Sequence, residues 1–126
     1  MSKGIIHLVD DDSSVRGTLA RLLVSGGYVV RVYASGTELI DAAPSLTAGC
    51  ILFDVNMPGL DGFEVQKALA ERDVRLPVVM MTGGGDLTLL AWKAGVAGFI
   101  PKPFGRSEIL AALEQAATEQ FVASAS

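Results

Sequence analysis

The feature that most constrains the fold is an alternation of short apolar runs with segments whose apolar residues recur at helical spacing. The first, third and fourth runs are almost continuously apolar, as expected for strands covered by helices on both faces of a parallel sheet. Five strands alternating with five helices require right-handed crossovers, so they predict a doubly wound α/β fold with a five-stranded parallel sheet. The five runs are Ile5–Val9, Tyr28–Tyr33, Cys50–Phe53, Val78–Met81 and Gly98–Ile100.

The helical segments carry recognisable start and stop signals. The first has an apolar stripe and ends at Gly26-Gly27, a natural stop. Ser35 followed by Glu38 forms a capping box that opens the second. The fourth is predicted to be short, over residues 87–94, and the fifth to end near Phe121. We expect a single domain over residues 1–122 and a frayed tail over residues 123–126.

Charge and composition exclude several classes of function for this chain. The net charge of -4 and a pI near 4.8 argue against direct nucleic-acid binding, which needs a basic surface. The apolar stretches are far shorter than the roughly 20 residues of a membrane helix, and the N-terminus has no signal-peptide pattern. The single cysteine, Cys50, fits a reducing compartment. We therefore expect a cytoplasmic protein with no membrane contact.

Polar side chains stand at the ends of four predicted strands. Asp10-Asp11-Asp12 follow the first strand, Asp54 the third, Thr82 the fourth and Lys102 the fifth. In open α/β sheets, function collects beyond the carboxyl ends of the strands. The sequence therefore predicts that carboxylates, one hydroxyl and one ammonium group meet at a single edge of the sheet.

This set of groups is suited to phosphoryl transfer onto a carboxylate. Two carboxylates 4 Å apart repel by about 4 kcal/mol at an effective dielectric constant of 20, and Mg²⁺ relieves that repulsion because it prefers oxygen ligands. A lysine ammonium and a threonine hydroxyl can contact phosphoryl oxygens. Positioning and charge neutralisation supply nearly all the catalysis in such transfers.

Taken together, these motifs resemble the receiver domains of two-component response regulators. The resemblance rests on the acidic pair after the first strand, on Asp54 followed by Asn56-Met57-Pro58, on Thr82 and on Lys102-Pro103-Phe104, and it spans residues 5–120. His7-Leu-Val-Asp-Asp11 and Phe99-Ile-Pro-Lys-Pro-Phe104 are most similar to receivers of nitrogen-fixation-type regulators. The resemblance implies a flavodoxin-like fold with strand order 2-1-3-4-5.

The resemblance also implies a role for each site residue. Asp54 is expected to be the phosphoacceptor, and Mg²⁺ is the expected cofactor. Asp11, Asp54 and the backbone carbonyl of Asn56 are expected to bind the ion directly, and Asp10 through a water molecule. Thr82 and Lys102 are expected to contact the phosphoryl group, while Phe99 occupies the switch-aromatic position on the fifth strand.

The same resemblance implies the partners. A sensor histidine kinase or a phosphotransfer protein is expected to supply the phosphoryl group, and a downstream protein or output domain to respond. Homodimerisation through the fourth helix, fifth strand and fifth helix is possible in such a protein. The chain is not expected to be an enzyme acting on a separate substrate; it would catalyse only its own phosphorylation and dephosphorylation.

Several residues also have simpler structural interpretations. Asp12 is either a third metal ligand or the cap of the first helix. His7 lies in an apolar strand and fits a core histidine better than a phosphate carrier. Cys50 is expected to pack as a small apolar residue.

One departure from the family pattern concerns the segment between Thr82 and Lys102, which is about two residues shorter than in comparable receivers. We expect an unusual or mobile fourth helix there. Two alternative functions stay open at this point. One is a pseudo-receiver that only binds partners, and the other is a Mg²⁺-dependent aspartyl-phosphate phosphatase of the haloacid-dehalogenase type. The phosphatase normally requires a cap insertion for which this chain has no room.

Overall fold

The structure is a computed structural model that describes residues 3–54, 62–82, 96–102 and 104–125. Apolar, β-branched runs form the strands and segments with helical periodicity form the helices, as their patterns predict. The strands are β1 (Ile5–Val9), β2 (Val29–Tyr33), β3 (Cys50–Asp54), β4 (Val78–Thr82) and β5 (Gly98–Pro101). The helices are α1 (Ser13–Ser25), α2 (Gly36–Asp41), α3 (Gly62–Glu71) and α4 (Arg106–Ala125), with a 3₁₀ turn at Ala43–Ser45.

The five strands form one parallel sheet in the order β2-β1-β3-β4-β5, which confirms the predicted fold class and strand order. The central strands β1 and β3 each pair with two neighbours, whereas β2 and β5 are edge strands. Every residue of β3 is buried, because helices cover both faces of the sheet.

Two apolar cores lie within the described chain, one on each face of the sheet. The core that includes side chains of α1 and α4 contains Ile6, Leu8, Leu23, Leu52, Ile109 and Leu113. The core that includes side chains of α2 and α3 contains Val9, Leu39, Phe53, Val65, Leu69 and Met80. Alternate residues of β1 and β3 enter opposite cores, as the two-residue period of a strand requires. This packing fixes the strand ends that carry the polar residues.

The predicted capping box at the start of α2 is present. The Ser35 hydroxyl accepts a hydrogen bond from the Glu38 N–H at 3.1 Å. The Glu38 carboxylate reaches back one residue further than in the usual box and accepts from the N–H of Ala34. The turn from β2 into α2 is therefore fixed by local hydrogen bonds.

The predicted fourth helix, residues 87–94, and the shortened segment around it lie outside the described residues. The last helix, α4, extends to Ala125, so the prediction that it ends near Phe121 was too short. The domain boundary at residue 122 and the fraying of the tail remain predictions. Among the helices described, none combines the length and apolar character needed to cross a membrane.

Candidate functional site

The carboxyl edge of the sheet brings together the ends of β1, β3 and β5. Asp10 follows the last residue of β1 and Asp54 is the last residue of β3. The pairing of Val9 with Phe53 places these two aspartates side by side on adjacent strands. Lys102 follows β5 directly. Three of the sequence-predicted residues therefore reach one place because parallel strands end at the same edge.

Asp10, Asp11 and Asp54 form an acidic cluster. One carboxylate oxygen from each lies within 4.8 Å of the other two. Asp10 and Asp54 are buried, with 1% and 5% of their surface exposed, whereas Asp11 is exposed. Buried carboxylates at such short range repel strongly, so the cluster needs a compensating positive charge.

Asp10 is fixed by contacts on its other polar atoms. Its N–H donates to the Tyr33 carbonyl at 3.2 Å, and its carbonyl accepts from Arg16 Nη1 at 2.8 Å. Its Oδ1 accepts from the Asp12 N–H at 3.0 Å. Oδ2 is buried and has no hydrogen-bond partner within the described chain. A buried carboxylate oxygen left in this state suits a cation.

The pKa of the Asp10 carboxyl is raised, chiefly because burial disfavours its charged form. The charges of Asp54 and Asp11 raise this pKa further, while the Asp12 N–H and the Lys102 ammonium lower it. The net direction shows that the local positive charge does not fully compensate for burial and repulsion. A divalent cation would supply what is missing.

Within the described residues, the ammonium group of Lys102 supplies positive charge to the acidic cluster. Its Nζ lies 3.0 Å from Asp54 Oδ1. The Asp54 side chain is only 8% exposed, while that of Lys102 is 33% exposed. The ammonium group therefore touches the carboxylate and is still partly open to solvent, where it can meet an incoming anion.

The three carboxylates fit Mg²⁺. Oxygen ligands at 2.0–2.1 Å in an octahedron lie at most about 4.2 Å apart. The Asp11 and Asp54 oxygens, within 4.8 Å of each other, would close on an ion with small side-chain shifts, and the Asp10 oxygen is near enough to both to hold a water on that ion. The exposed Asp11 leaves one side of the cluster open to water and to a phosphate oxygen, which Mg²⁺ prefers to keep as ligands. Donor chemistry and the unpaired Asp10 Oδ2 both support the predicted cofactor.

The other predicted site residues are described to different extents. Thr82 ends β4 opposite Pro101 of β5, so its backbone lies at the same edge of the sheet; its side chain is not among those described. Asn56 lies outside the described residues. Phe99 is half-buried on β5 and packs against the core on the α2 and α3 side.

The structural interpretations of the remaining polar residues are borne out. Asp12 caps α1, with Oδ1 accepting from the N–H groups of Ser14 and Val15 at 2.9 and 3.2 Å, and it is not part of the acidic cluster. His7 is buried, with Nε2 2.9 Å from the Ala48 carbonyl and Nδ1 3.2 Å from the Tyr33 hydroxyl. Cys50 is buried as a free thiol.

A mostly apolar groove of about 480 Å³ lies beside the acidic cluster. Asp10 and Lys102 contribute to its lining, together with Ser14, Val15, Thr18, Leu19, Met81 and Phe104. The groove leaves an approach to the cluster between α1 and the segment that follows β5.

Arg16 is the residue of this region that the sequence did not reveal. Its guanidinium contacts a main-chain carbonyl, and such a contact leaves no spacing signal in a single sequence. Arg16 falls within the helical periodicity of α1 as an ordinary polar residue. Only the path of the β1–α1 turn shows where its side chain lies.

Comparison with known proteins agrees with the geometry. Residues 6–114 match the model of the response regulator receiver domain family. The transcriptional regulatory protein FixJ of Bradyrhizobium diazoefficiens is 39% identical over 117 residues, which cover 91% of this chain and 57% of FixJ. The DNA-binding transcriptional regulator NtrC of Escherichia coli K12 is 38% identical over 92% of this chain and 25% of NtrC.

Solved structures give the same result. The crystal structure of FixJ-N superposes with a TM-score of 0.87 and 32% identity, covering 94% of this chain and 96% of that one. The chemotaxis protein CheY4 of Vibrio cholerae superposes with a TM-score of 0.81 and 29% identity, covering 90% and 98%. The chain spans a little over half of the FixJ sequence and about a quarter of NtrC. With its sheet order, its acidic cluster and a family match over most of its length, this chain belongs to the response regulator receiver domain family.

Proposed function

We propose that Asp54 is the phosphoacceptor and that it takes a phosphoryl group from a phosphohistidine on a sensor kinase or phosphotransfer protein. The observation that carries this proposal is the contact of Lys102 Nζ with Asp54 Oδ1, at 3.0 Å, beside the carboxylates of Asp10 and Asp11. A carboxylate so placed has a cation beside it to stabilise the charge of an arriving phosphoryl group.

The transfer forms a bond between an Asp54 carboxylate oxygen and phosphorus while the phosphorus–nitrogen bond of the donor breaks. The bonding electron pair returns to the donor imidazole, which takes up a proton. Lys102 neutralises Asp54 before transfer and turns to a phosphoryl oxygen afterwards, because the product carries about -1.5 to -2 charges on the phosphate. The Thr82 hydroxyl is proposed to contact another phosphoryl oxygen.

Asp11, Asp54 and the Asn56 carbonyl are proposed to hold Mg²⁺ directly, with Asp10 contributing through water. When bound, Mg²⁺ neutralises the acidic cluster and orients the phosphoryl oxygens. The residues of this chain set the rest of the geometry. Asp10 and Asp54 are buried at the ends of paired strands, so their positions are already fixed before the donor arrives.

The response is proposed to be a shift in a pre-existing equilibrium that includes Phe99 and changes affinity for another protein. FixJ and NtrC are transcriptional regulators by name, and we propose that a transcription-regulating output is controlled in the same way here. A homodimer through the predicted fourth helix (residues 87–94), β5 and the last helix, α4, is one form of that output. The acidic receiver itself is not proposed to contact nucleic acid or a membrane.

The proposal assigns the chain a signalling role, with catalysis confined to its own phosphorylation and dephosphorylation. It also places the domain in the reducing cytoplasm, consistent with the free, buried thiol of Cys50. Neither a pseudo-receiver nor a phosphatase is favoured. The acidic cluster and its lysine are present, and the family match covers residues 6–114.

The test is incubation with a small phosphodonor and Mg²⁺, followed by intact-mass measurement. The wild type should gain one phosphoryl group, and the gain should require Mg²⁺. Asp54→Ala should gain none, whereas Asp41→Ala, which removes an exposed carboxylate on α2, should behave as the wild type. Phosphorylation that persists in Asp54→Ala would assign another acceptor, and a wild type that never gains mass would establish a pseudo-receiver.

A further inference from the structure

Arg16 occupies a position in α1 that helix electrostatics do not favour. It is the fourth residue of the helix, and its N–H donates to the carbonyl of the cap residue Asp12 at 2.9 Å. The N-terminal turn of a helix has a partial positive charge, so a cation there is less favourable than an anion. The first turn of α1 contains no acidic residue, and the acid at this end of the helix is its cap, Asp12.

The partner of Arg16 accounts for its position. The half-buried side chain turns back across the β1–α1 turn, and Nη1 donates to the Asp10 carbonyl at 2.8 Å. A charged donor makes a stronger hydrogen bond than a neutral one. Arg16 thus joins the start of α1 to the residue that directly follows β1.

Asp10 is held at three atoms, and Arg16 supplies the one contact of the three that comes from a side chain. The other two contacts are made by the Tyr33 carbonyl and by the Asp12 N–H. Because those two groups are main-chain atoms, a substitution does not remove them. Without Arg16 the Asp10 peptide would lose a charged hydrogen bond that helps to fix the direction of the Asp10 carboxylate.

We propose that Arg16 is a positioning residue for the acidic cluster. It fixes the Asp10 carbonyl, and through it the Asp10 carboxylate, in the geometry that binds Mg²⁺. This inference rests on the proposed function, since it assumes that the cluster of Asp10, Asp11 and Asp54 takes up Mg²⁺. Outer partners of a metal site, which orient a ligand or a group that holds a metal-bound water, typically change metal affinity by 10- to 100-fold when removed.

Charge and position predict opposite effects of removing Arg16, which makes the inference testable. A cation that contacts the Asp10 carbonyl repels Mg²⁺ bound at the adjacent cluster, so deleting its charge alone should tighten Mg²⁺ binding or leave it unchanged. Loss of positioning should weaken binding instead. Arg16→Met keeps most of the aliphatic length of the side chain and removes its hydrogen-bond donors. Arg16→Lys keeps the positive charge but replaces the planar guanidinium with a compact ammonium group.

The experiment is a titration of the full chain with Mg²⁺, monitored by NMR and by calorimetry, with no phosphodonor present. We expect Arg16→Met to raise the Mg²⁺ dissociation constant about 10-fold and Arg16→Lys to recover part of the loss. Arg21→Met is the matched control, because Arg21 is an exposed arginine of the same helix. It should bind Mg²⁺ as the wild type does.

A second measurement, on metal-free protein, reports positioning directly. Amide hydrogen exchange of Asp12, whose N–H is held by Asp10 Oδ1, should be faster in Arg16→Met than in the wild type or Arg21→Met. Mg²⁺ binding by Arg16→Met as tight as in the wild type, or tighter, would overturn the inference. A wild type that binds no Mg²⁺ would instead overturn the proposed function, so the two failures are distinguishable.

Discussion

Neutralising Asp10 should make the metal-free protein more stable while removing its response to Mg²⁺. The substitution is Asp10→Asn, which keeps the size of the side chain and an oxygen that can accept from the Asp12 N–H. It removes one buried charge from a cluster whose carboxylate oxygens lie within 4.8 Å of one another. Stability and metal binding should therefore change in opposite directions.

The magnitude follows from those distances. Two unit charges 4.8 Å apart interact by about 3.5 kcal/mol at an effective dielectric constant of 20, so Asp10 is repelled appreciably by both Asp54 and Asp11. Attraction to Lys102 and screening by salt offset much of this energy. We expect the free energy of unfolding in EDTA to rise by about 1–3 kcal/mol.

The raised pKa of the Asp10 carboxyl predicts the same sign for the change in stability. A folded-state pKa above the unfolded value means that the folded state binds the proton more tightly between the two values. Stability then falls as the pH rises through that window, and at neutral pH the ionised Asp10 destabilises the metal-free fold. Asparagine does not ionise, so the variant lacks this loss.

Urea unfolding in EDTA and in Mg²⁺ tests both parts. The wild type should gain about 1.4 kcal/mol when Mg²⁺ is present at ten times its dissociation constant, and Asp10→Asn should gain much less at the same concentration. Glu71→Gln, an exposed carboxylate at the end of α3, should change either value by under about 0.5 kcal/mol. A variant no more stable than the wild type in EDTA, or one with an undiminished Mg²⁺ response, would refute the reasoning.

Three further predictions concern the rest of the fold. Burial lowers the pKa of His7, so the free energy of unfolding should fall as the pH drops below about 6.5; in urea titrations from pH 7.5 to 5, His7→Gln should show a smaller fall. In thermal melts, Gly49→Ala should destabilise the protein by more than about 2 kcal/mol, because the φ of Gly49 is +106° and an added Cβ would clash with the Ile5 carbonyl oxygen. Gly17 lies in α1 with open space where an added Cβ would lie, so Gly17→Ala should stabilise the protein by about 0.5–1 kcal/mol in the same assay. Burial raises the pKa of the Cys50 thiol to about 12, so its reaction with a thiol reagent should be at least about 100-fold slower in the folded protein than in urea, and equal rates would contradict this.

The sequence was sufficient for the sheet and for much of the site. The continuous apolar runs around His7 and Leu52 mark strands buried on both faces, and a parallel sheet then dictates that residues such as Asp54 and Lys102 emerge at one edge. Periodicity and strand-end position are local properties, so a single sequence displays them. The topology placed Lys102 at the same edge as Asp54, whereas their 3.0 Å contact depends on the lysine side chain reaching past the end of β4, which lies between their strands.

Contacts between side chains and main chain could not be predicted in the same way. The Arg16 contact with the Asp10 carbonyl and the His7 bridge between Tyr33 and Ala48 depend on the path of turns and on side-chain rotamers. The length of α4 was underestimated because Ala and Ser in its last turn give no clear stop signal.

The placement of the site residues within the sheet suggests why such a domain can act as a switch. Asp10 directly follows β1 and Asp54 ends β3, and each of these strands pairs with two neighbours, so moving either acid would strain a strand that belongs to two ladders. Lys102 follows β5, an edge strand of four residues that pairs only with β4 within the described sheet. Displacing the lysine therefore disturbs one ladder, and its side chain is already one-third exposed. The acids therefore lie in the most constrained part of the sheet, and Lys102, which is proposed to contact the phosphoryl group, lies at its less constrained edge. Phe99 lies on the same edge strand and packs against the core on the α2 and α3 side. A movement of Lys102 toward a phosphoryl group would therefore be transmitted to the protein surface by a shift of β5 and Phe99, and not by a shift of the central strands.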